Sequence, residues 1–337
     1  MRIHRLWILL AVSVLGLSVF GGAGNASPAV GASPALEGVP AFGHVFLIIG
    51  ENTDLSQLNT HNAPYLTGTV EPNSAWLTNY LALTHYSEAN YVGMMSGQFT
   101  GCEQADGLAA SCHQDVPNYF AQLDAAGITW QSWMESMPSA CYLVNTGGDK
   151  GLNHYAAKHN PALFFDGIEG TGGTWTNPGG PECQANDIAA GTTGPNDMST
   201  FEQALSAGSV AQFNLVVPNE CEDAHDNCAP AGNEITQYDD FLAREVPLIE
   251  ASPAFGSDGV IIITFDEGVT KSPHHADKFG NGGNVAFAVI SPLAHNAVYE
   301  GVFDHYSLLR TLEDGFGIGT YVGNANSASP IAPIWNP

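Results

Sequence analysis

Apolar runs with the length of strands recur along the chain and are separated by stretches of helical periodicity. The runs are HVFLIIG at 44–50, ITWQSW at 128–133, FNLVV at 213–217, GVIIITF at 259–265 and NVAFAVI at 284–290. Short apolar runs between turn residues are typical of strands that are buried on both faces. They therefore predict a sheet that is covered on both sides.

Amphipathic stretches between these runs predict helices that begin near Ser87, Val116, Ser199, Ile235 and Asp304. Strands that alternate with helices favour an α/β fold, with a mostly parallel sheet and helices on both faces. The segment that follows the N-terminal leader, roughly 300 residues, is at the upper end of one core or the lower end of two. We expect a single domain over residues 41–337.

The N-terminus has the pattern of an export signal. Two arginines precede an apolar run that ends near Phe20, and the small residues Gly24 and Ala26 follow it. This pattern predicts a signal peptide over residues 1–26. The Pro-, Gly- and Ala-rich residues 27–40 then predict a flexible leader. We expect a secreted, extracellular protein without a stable membrane anchor.

Six cysteines follow the predicted signal, and in an exported chain an even number indicates up to three disulfides. They are Cys102, Cys112, Cys141, Cys183, Cys221 and Cys228. Their spacing does not resemble the paired CxxC motifs of a zinc cluster. The short loop favours a bond between Cys221 and Cys228, and the other pairings stay open.

Acidic residues far outnumber basic ones, since Asp and Glu total 34 and Lys and Arg total 8. A surface of this charge repels nucleic acid and anionic membranes, so we expect neither as a partner. The few cations beyond the signal therefore indicate where an anion binds. They are Lys150, Lys158, Arg244, Lys271, Lys278 and Arg310.

Polar residues directly follow two of the predicted strands. Glu51 and Asn52 come after the first strand, and Asp266 and Glu267 come after GVIIITF. Ligands of open α/β sheets bind at the carboxyl ends of the strands. Each pair taken alone favours a solvated strand end or turn. Together they offer hard oxygen ligands for Mg²⁺, Ca²⁺ or Mn²⁺.

Ser87 begins a stretch that is predicted to be helical. It is either a plain N-cap or a nucleophile placed where helix N–H groups bind phosphate. Asn90 shares its helix face three residues later, so it is a candidate donor to a phosphoryl oxygen. A bound cation would activate the serine hydroxyl.

Several histidines stand beside polar partners and are candidates for phosphate binding and proton transfer. They are His159 next to Lys158, His225 next to Asp226, and His305 in DHYSLLRTLED. The pair His274 and His275 is a weaker candidate for metal binding. We expect His61, His113 and His295 to be ordinary surface or core residues.

Two stretches are rich in Gly, Thr, Pro and Asn and have little periodicity. The first covers residues 166–197 and the second covers 268–284. A long insertion without regular structure is usually functional or disordered. The first stretch is therefore a candidate substrate lid.

The motifs VFLIIGEN, HYSEANYVGMMSG, YAAKHNP, VPNECEDAHD, IIITFDE and DHYSLLRTLED occur in this order over residues 40–325. This set resembles the bacterial phosphoesterase family of acid phosphatases and phospholipases C. It is most similar to small secreted acid phosphatases that act on phosphatidylinositol 3-phosphate. The resemblance implies an alkaline-phosphatase-like core and a phosphoserine intermediate.

Carried over position by position, the resemblance implies a role for each candidate residue. Glu51, Asn52, Ser87, Asp266 and Glu267 would bind a divalent metal, and Ser87 would be the nucleophile. His159 or His225 would protonate the leaving group. The phosphate would be surrounded by Asn90, Lys158, His159, His225, Asp226 and His305. The implied substrate is a small-molecule or lipid-headgroup phosphate ester, and no oligomeric state is implied.

Three alternative functions stay open at this point. A phospholipase C-type phosphodiesterase would use the same site, but the chain has Thr53, Asp54 and Leu55 where phospholipases of the family often carry a longer motif. A non-catalytic extracellular binding protein would not need Ser87 with its candidate ligands. A sulfatase would need the C/S-x-P-x-R context, which SEANY lacks.

Overall fold

A computed structural model describes residues 36–98, 101–102, 106–146, 154–172, 174–270 and 282–336. The predicted signal peptide, most of the leader and the pair His274 and His275 lie outside these ranges. No helix in the described ranges is long and apolar enough to cross a membrane.

The described strands form one eight-stranded sheet in the order β4-β3-β5-β1-β6-β7-β2-β8. They are β1 His44–Gly50, β2 Ala75–Leu81, β3 Trp130–Met134, β4 Asp187–Ala189, β5 Phe213–Val217, β6 Gly259–Phe265, β7 Asn284–Ile290 and β8 Ala297–Asp304. Strand β7 runs antiparallel to β6 and β2, and the other described pairs are parallel. The predicted α/β class with a mostly parallel sheet is confirmed.

All five predicted strands are present, and most of their residues are buried. Strand β6 is buried throughout, and β1 is buried from Val45 to Gly50. The pattern missed three strands for different reasons. Strand β2 carries the half-buried Thr78 and Asn79 in its centre, β4 has three residues, and β8 is largely exposed at the sheet edge.

Helices connect the strands, and the five predicted helices are present. The described α-helices are α1 Ser87–Ser96, α2 Tyr119–Ala126, α3 Asp166–Glu169, α4 Pro181–Asn186, α5 Ser199–Ala207, α6 Glu234–Ala251 and α7 His305–Gly315. Side-chain caps fix the starts of three helices. The side chain of the N-cap residue accepts a hydrogen bond from a backbone N–H in the first turn of α2, α6 and α7, and these N-cap residues are Asn118, Asn233 and Asp304. Asp304 therefore caps α7, and His305 is its first residue.

The described part of the segment 166–197 is not the structureless insertion that its composition predicts. It contains α3, α4 and the edge strand β4, which pairs with β3. A disulfide between Cys141 and Cys183 links it to the loop after β3. The expectation of a lid is therefore wrong for this stretch, because strand pairing and the disulfide fix its chain to the sheet.

Three disulfides join the six cysteines. Cys221 pairs with Cys228, as the short loop predicts, and the other pairs are Cys102 with Cys112 and Cys141 with Cys183. Disulfides of this kind persist in oxidising compartments. They fit the expected export of the protein.

Candidate active site

Carboxylates from three adjacent strands meet at the carboxyl-terminal edge of the sheet. Strand β1 lies between β5 and β6 and is parallel to both. Glu51 directly follows β1, Asp266 and Glu267 directly follow β6, and Asp223 follows β5 by a short loop. Parallel strands bring such residues to one edge. The expected clustering of Glu51 with Asp266 and Glu267 is therefore present.

Ser87 begins α1 and faces this carboxylate cluster. Its Oγ lies 3.0 Å from Glu51 Oε2 and 3.4 Å from Glu267 Oε1, both within hydrogen-bond distance. The residue at the N-cap is Tyr86, and its side chain makes no capping hydrogen bond. The interpretation of Ser87 as a plain N-cap is thus wrong. Its hydroxyl lies where the first-turn N–H groups of α1 are available to an anion.

Burial and mutual repulsion raise the pKa values of the clustered carboxyls. Burial raises the pKa of Glu51 well above its usual range, and the charges of Asp266 and Asp223 raise it further. The pKa of Asp266 is raised by burial and then by Glu267. Lys158 opposes the rise at Glu51 but does not cancel it. The cluster therefore requires additional positive charge to be fully ionised.

The donor set fits a hard divalent cation. Asp266 Oδ2 is buried and has no hydrogen-bond partner among the described residues. Its other oxygen, Oδ1, accepts the backbone N–H of Asn52 at 3.3 Å. A buried carboxylate oxygen without a donor is costly, and a cation with oxygen ligands would satisfy it. Glu51, Asn52, Asp266 and Glu267 are the residues that would hold the ion, beside the Ser87 hydroxyl.

Asn52 reaches the cluster through an unusual backbone conformation. Its φ of 46° lies in the left-handed region, which Asn tolerates better than most residues. The Nδ2 group donates to Glu51 Oε2 at 3.4 Å. The amide oxygen of Asn52 is then the atom that remains for a cation.

His159 lies beneath the cluster. Its side chain is 1% exposed, and its ring stacks on Tyr91 with 5.4 Å between the ring centroids. Nε2 is 3.4 Å from Glu51 Oε1, and Nδ1 is 3.2 Å from Asp223 Oδ2. Burial lowers the pKa of His159 well below its usual range, and the nearby cationic groups lower it further. This ring is placed to orient carboxylates.

His225 is more accessible and is oriented by its neighbour. Its side chain is 26% exposed, and Nδ1 lies 2.9 Å from Asp226 Oδ1. Nε2 lies 3.5 Å from Lys158 Nζ. Burial lowers the pKa of Lys158, but Asp106 and Glu51 outweigh this effect and raise it. Lys158 is therefore a stable cation beside the outer nitrogen of His225.

Asp226 binds two histidines rather than the Lys158 ammonium. Its Oδ2 lies 3.0 Å from Nδ1 of His154, whose ring also lies 3.4 Å from Glu220 Oε2. Asp226 therefore orients His225 from the side away from Lys158. Asp226 was expected beside the phosphate, but in this arrangement it would act on the phosphate only through His225.

Asn90 and His305 do not contact the space in front of Ser87. Asn90 Oδ1 accepts the N–H groups of Leu83 at 3.1 Å and Thr84 at 3.2 Å, and its Nδ2 donates to the Thr84 carbonyl at 2.8 Å. Its amide thus holds the loop before α1. The expectation that Asn90 donates to a phosphoryl oxygen does not fit, because loop contacts occupy both ends of the amide.

His305 is fully buried behind Asp266. Its Nε2 donates to the Asp266 carbonyl at 2.6 Å, so Nδ1 accepts from the Tyr80 hydroxyl at 2.9 Å. Both ring nitrogens are therefore occupied. The expectation that His305 contacts the phosphate does not fit this geometry, and its role is to support the backbone of Asp266.

Four residues that contact the site were missed in the sequence. Asp223 faces His159, the Tyr91 hydroxyl donates to Glu51 Oε1 at 2.9 Å, His85 Nδ1 lies 2.8 Å from Glu267 Oε2, and Asp106 pairs with Lys158. Tyr91 stands four residues after Ser87, a helical spacing that predicts a shared face. Asp223 stands two residues before His225 in the polar stretch after β5. Both signals were available.

The three histidines that were expected to be ordinary surface or core residues all lie on the surface. His61 and His295 are exposed, and the exposed His113 pairs with Asp166 on the surface.

Comparison with known proteins gives a family match over most of the chain. The model of the Phosphoesterase family matches residues 46–319. A phosphate-repressible acid phosphatase of Penicillium chrysogenum is 29% identical over 72% of this chain and 52% of its own length. A phosphatidylinositol-3-phosphatase of Mycobacterium tuberculosis is 25% identical over 99% of this chain and 95% of its own length. The chain thus spans about half of the Penicillium relative.

Solved structures share the fold at low sequence identity. A protein of the alkaline phosphatase superfamily from Vibrio parahaemolyticus is 10% identical, with a TM-score of 0.54 over 85% of this chain and 69% of its own. The C-terminal periplasmic domain of EcEptC from Escherichia coli is 12% identical, with a TM-score of 0.53 over 91% of each chain. The expected alkaline-phosphatase-like fold is confirmed.

Proposed function

Since this chain belongs to the phosphoesterase family, we propose that it is an acid-phosphatase-type hydrolase of phosphate monoesters that acts through a phosphoserine at Ser87. One observation carries the proposal. Ser87 is the first residue of α1, and its hydroxyl lies within hydrogen-bond distance of Glu51 and Glu267 at the carboxyl-terminal edge of the sheet. The relatives named acid phosphatase and phosphatidylinositol-3-phosphatase support a phosphate ester as substrate.

A divalent cation belongs to this proposal. Glu51, Asn52, Asp266 and Glu267 would hold it, and when bound it would offset their repulsion and favour the deprotonated serine. The all-oxygen donor set favours Mg²⁺, Ca²⁺ or Mn²⁺.

Two side chains that are more exposed than Ser87 are assigned to the phosphate and the leaving group. Lys158 contributes a fixed positive charge for a phosphoryl oxygen. His225 protonates the leaving oxygen through Nε2, because Asp226 holds its other nitrogen at 2.9 Å. The neutral His225 then takes a proton from the water that attacks phosphorus, the bond from phosphorus to Ser87 Oγ breaks, and inorganic phosphate leaves the deprotonated serine with which the cycle began.

The buried residues beneath the site are positioning residues. His159 lies between Glu51 and Asp223 and is 1% exposed, so it is too deep to reach a leaving group. Of the two histidines expected as the acid, we therefore assign His225. Tyr91 stacks on His159 and donates to Glu51, which fixes the direction of that carboxylate.

Export and domain organisation complete the proposal. Residues 1–26 would be removed as a signal peptide, and residues 41–337 would form the catalytic domain of a secreted enzyme. The three disulfides support an oxidising destination.

The test compares p-nitrophenyl phosphate with its bis-p-nitrophenyl diester. We expect turnover of the monoester and its loss in Ser87→Ala, whereas Ser96→Ala keeps the wild-type rate. Ser96 is a matched control because it is buried at the other end of α1 and donates to the Val92 carbonyl. A preference for the diester would favour the phospholipase C-type alternative. Absence of turnover with either ester, with added metal ions, would favour a binding protein.

A further inference from the structure

Lys158, the proposed phosphate contact, is already paired with a carboxylate. Its Nζ lies 3.3 Å from Asp106 Oδ2 on one side and 3.5 Å from His225 Nε2 on the other. The Lys158 side chain is 13% exposed and that of Asp106 is 42% exposed. The carboxylate therefore lies on the solvent side of the ammonium group, where a substrate must enter.

The position of Asp106 is fixed from the nucleophile helix. The N–H of the next residue, Gly107, donates to the carboxylate of Glu88. Glu88 directly follows Ser87 in α1 and is fully buried. A disulfide from Cys102 to Cys112 closes the loop that carries Asp106. Asp106 is thus held opposite Lys158 by two anchors and is not a freely moving surface acid.

We propose that Asp106 is a specificity-determining residue that disfavours phosphate monoesters whose leaving group carries a further anionic group. The inference rests on the proposed monoesterase function and deepens it. A substrate phosphate must compete with Asp106 for Lys158. A second anion on the leaving group would then meet an unpaired carboxylate at the entrance, where like charges repel.

The surrounding charges act in the same direction. The charge of Glu220 acts on Lys158, and Asp226 lies 2.9 Å from the His225 ring, so carboxylates outnumber the one lysine in this part of the site. Phosphatidylinositol 3-phosphate also carries a diester anion on its leaving group. We therefore expect this chain to have a lower kcat/KM for that lipid than for a sugar or glycerol monophosphate, although a relative is named for the lipid.

The experiment compares phenyl phosphate with carboxyphenyl phosphate, which differ by one negative charge on the leaving group. In Asp106→Asn, we expect the ratio of kcat/KM for the carboxylated ester over the neutral one to rise about two- to fivefold, the range of a partly exposed ion pair. Asp106→Glu should restore the wild-type ratio. Asp115→Asn, which removes an exposed charge just beyond the disulfide, should leave it unchanged.

A second arm does not depend on turnover. Titration calorimetry with inorganic phosphate should show about two- to fivefold tighter binding to Asp106→Asn than to wild type at low salt. The difference should shrink in 1 M NaCl, where the screening length is only about 3 Å. An unchanged substrate ratio together with unchanged phosphate affinity would overturn the inference. If neither ester is hydrolysed by any variant, the monoesterase proposal fails, and the phosphate affinity alone then decides whether Asp106 competes for Lys158.

Discussion

Asp187 on the edge strand β4 offers a sharp test of how burial controls the stability of this protein. Its carboxyl is fully buried, and Oδ2 accepts a hydrogen bond from Asn160 Nδ2 at 2.8 Å. Its Oδ1 has no hydrogen-bond partner among the described residues. Burial raises its pKa from 3.8 to about 7, although the Asn160 hydrogen bond opposes the rise.

The raised pKa determines the sign of the pH dependence. Between pH 3.8 and about 7 the folded protein keeps the Asp187 proton that the unfolded chain releases. The stabilisation is therefore complete below pH 3.8 and is lost as the pH rises to about 7. At about 1.4 kcal/mol per pKa unit, the loss amounts to at most about 4 kcal/mol. Burial also raises the pKa values of Glu245 and Glu313 to about 7, which adds to the same trend.

Asp187→Asn imitates the protonated carboxyl and removes its titration. Urea unfolding, followed by tryptophan fluorescence, should show wild type losing stability between about pH 4 and pH 7.5. The Asp187→Asn variant should be close to wild type at the acidic pH and more stable by up to about 4 kcal/mol at the higher one. Asp115→Asn, an exposed acid, is the control and should follow wild type. Equal differences between Asp187→Asn and wild type at both pH values would refute the reasoning.

Three further predictions concern the disulfides, the metal and a missed residue. The bond from Cys141 to Cys183 closes a loop with a sequence separation of 42, so replacing both cysteines by serine should cost about 3–4 kcal/mol in urea unfolding; an unchanged midpoint would contradict this. Chelation with EDTA should abolish turnover, and Asp266→Asn should lower the metal content measured by plasma mass spectrometry; full activity after chelation would remove the metal from the account. Asp223→Asn should lower kcat about tenfold or more with little change in KM, because His159 loses its partner; a change confined to KM would assign Asp223 to substrate binding instead.

The sequence predicted the centre of the sheet better than its edges. Strands β1 and β6 carry a single polar side chain each, His44 and Thr264, as expected of strands that are covered on both faces, and their bounds were predicted correctly. Strand β8 has most of its residues exposed, so its apolar and polar positions carry little signal. Strand β4 has only three residues, and it is held by pairing with β3 and by the nearby disulfide, which no local pattern shows.

Site residues were predictable where position along the chain determines position in space. Glu51 and Asp266 directly follow central parallel strands, so the topology brings them together. The sequence does not predict which groups a polar side chain contacts. Asn90 and His305 have the residue types that phosphate binding needs, yet backbone groups of Thr84 and Asp266 occupy them. Only the tertiary fold determines which polar atoms remain available.

Trapping of the covalent intermediate tests the central claim most directly. Purified enzyme is mixed with p-nitrophenyl phosphate, quenched in acid during turnover, digested and analysed by tandem mass spectrometry. Ser96→Ala serves as the matched control. We expect one phosphoryl group on Ser87 in wild type and in the control, and none in Ser87→Ala. Phosphate found on another residue, or hydrolysis of the ester by Ser87→Ala at the wild-type rate, would contradict the assignment of Ser87 as the nucleophile.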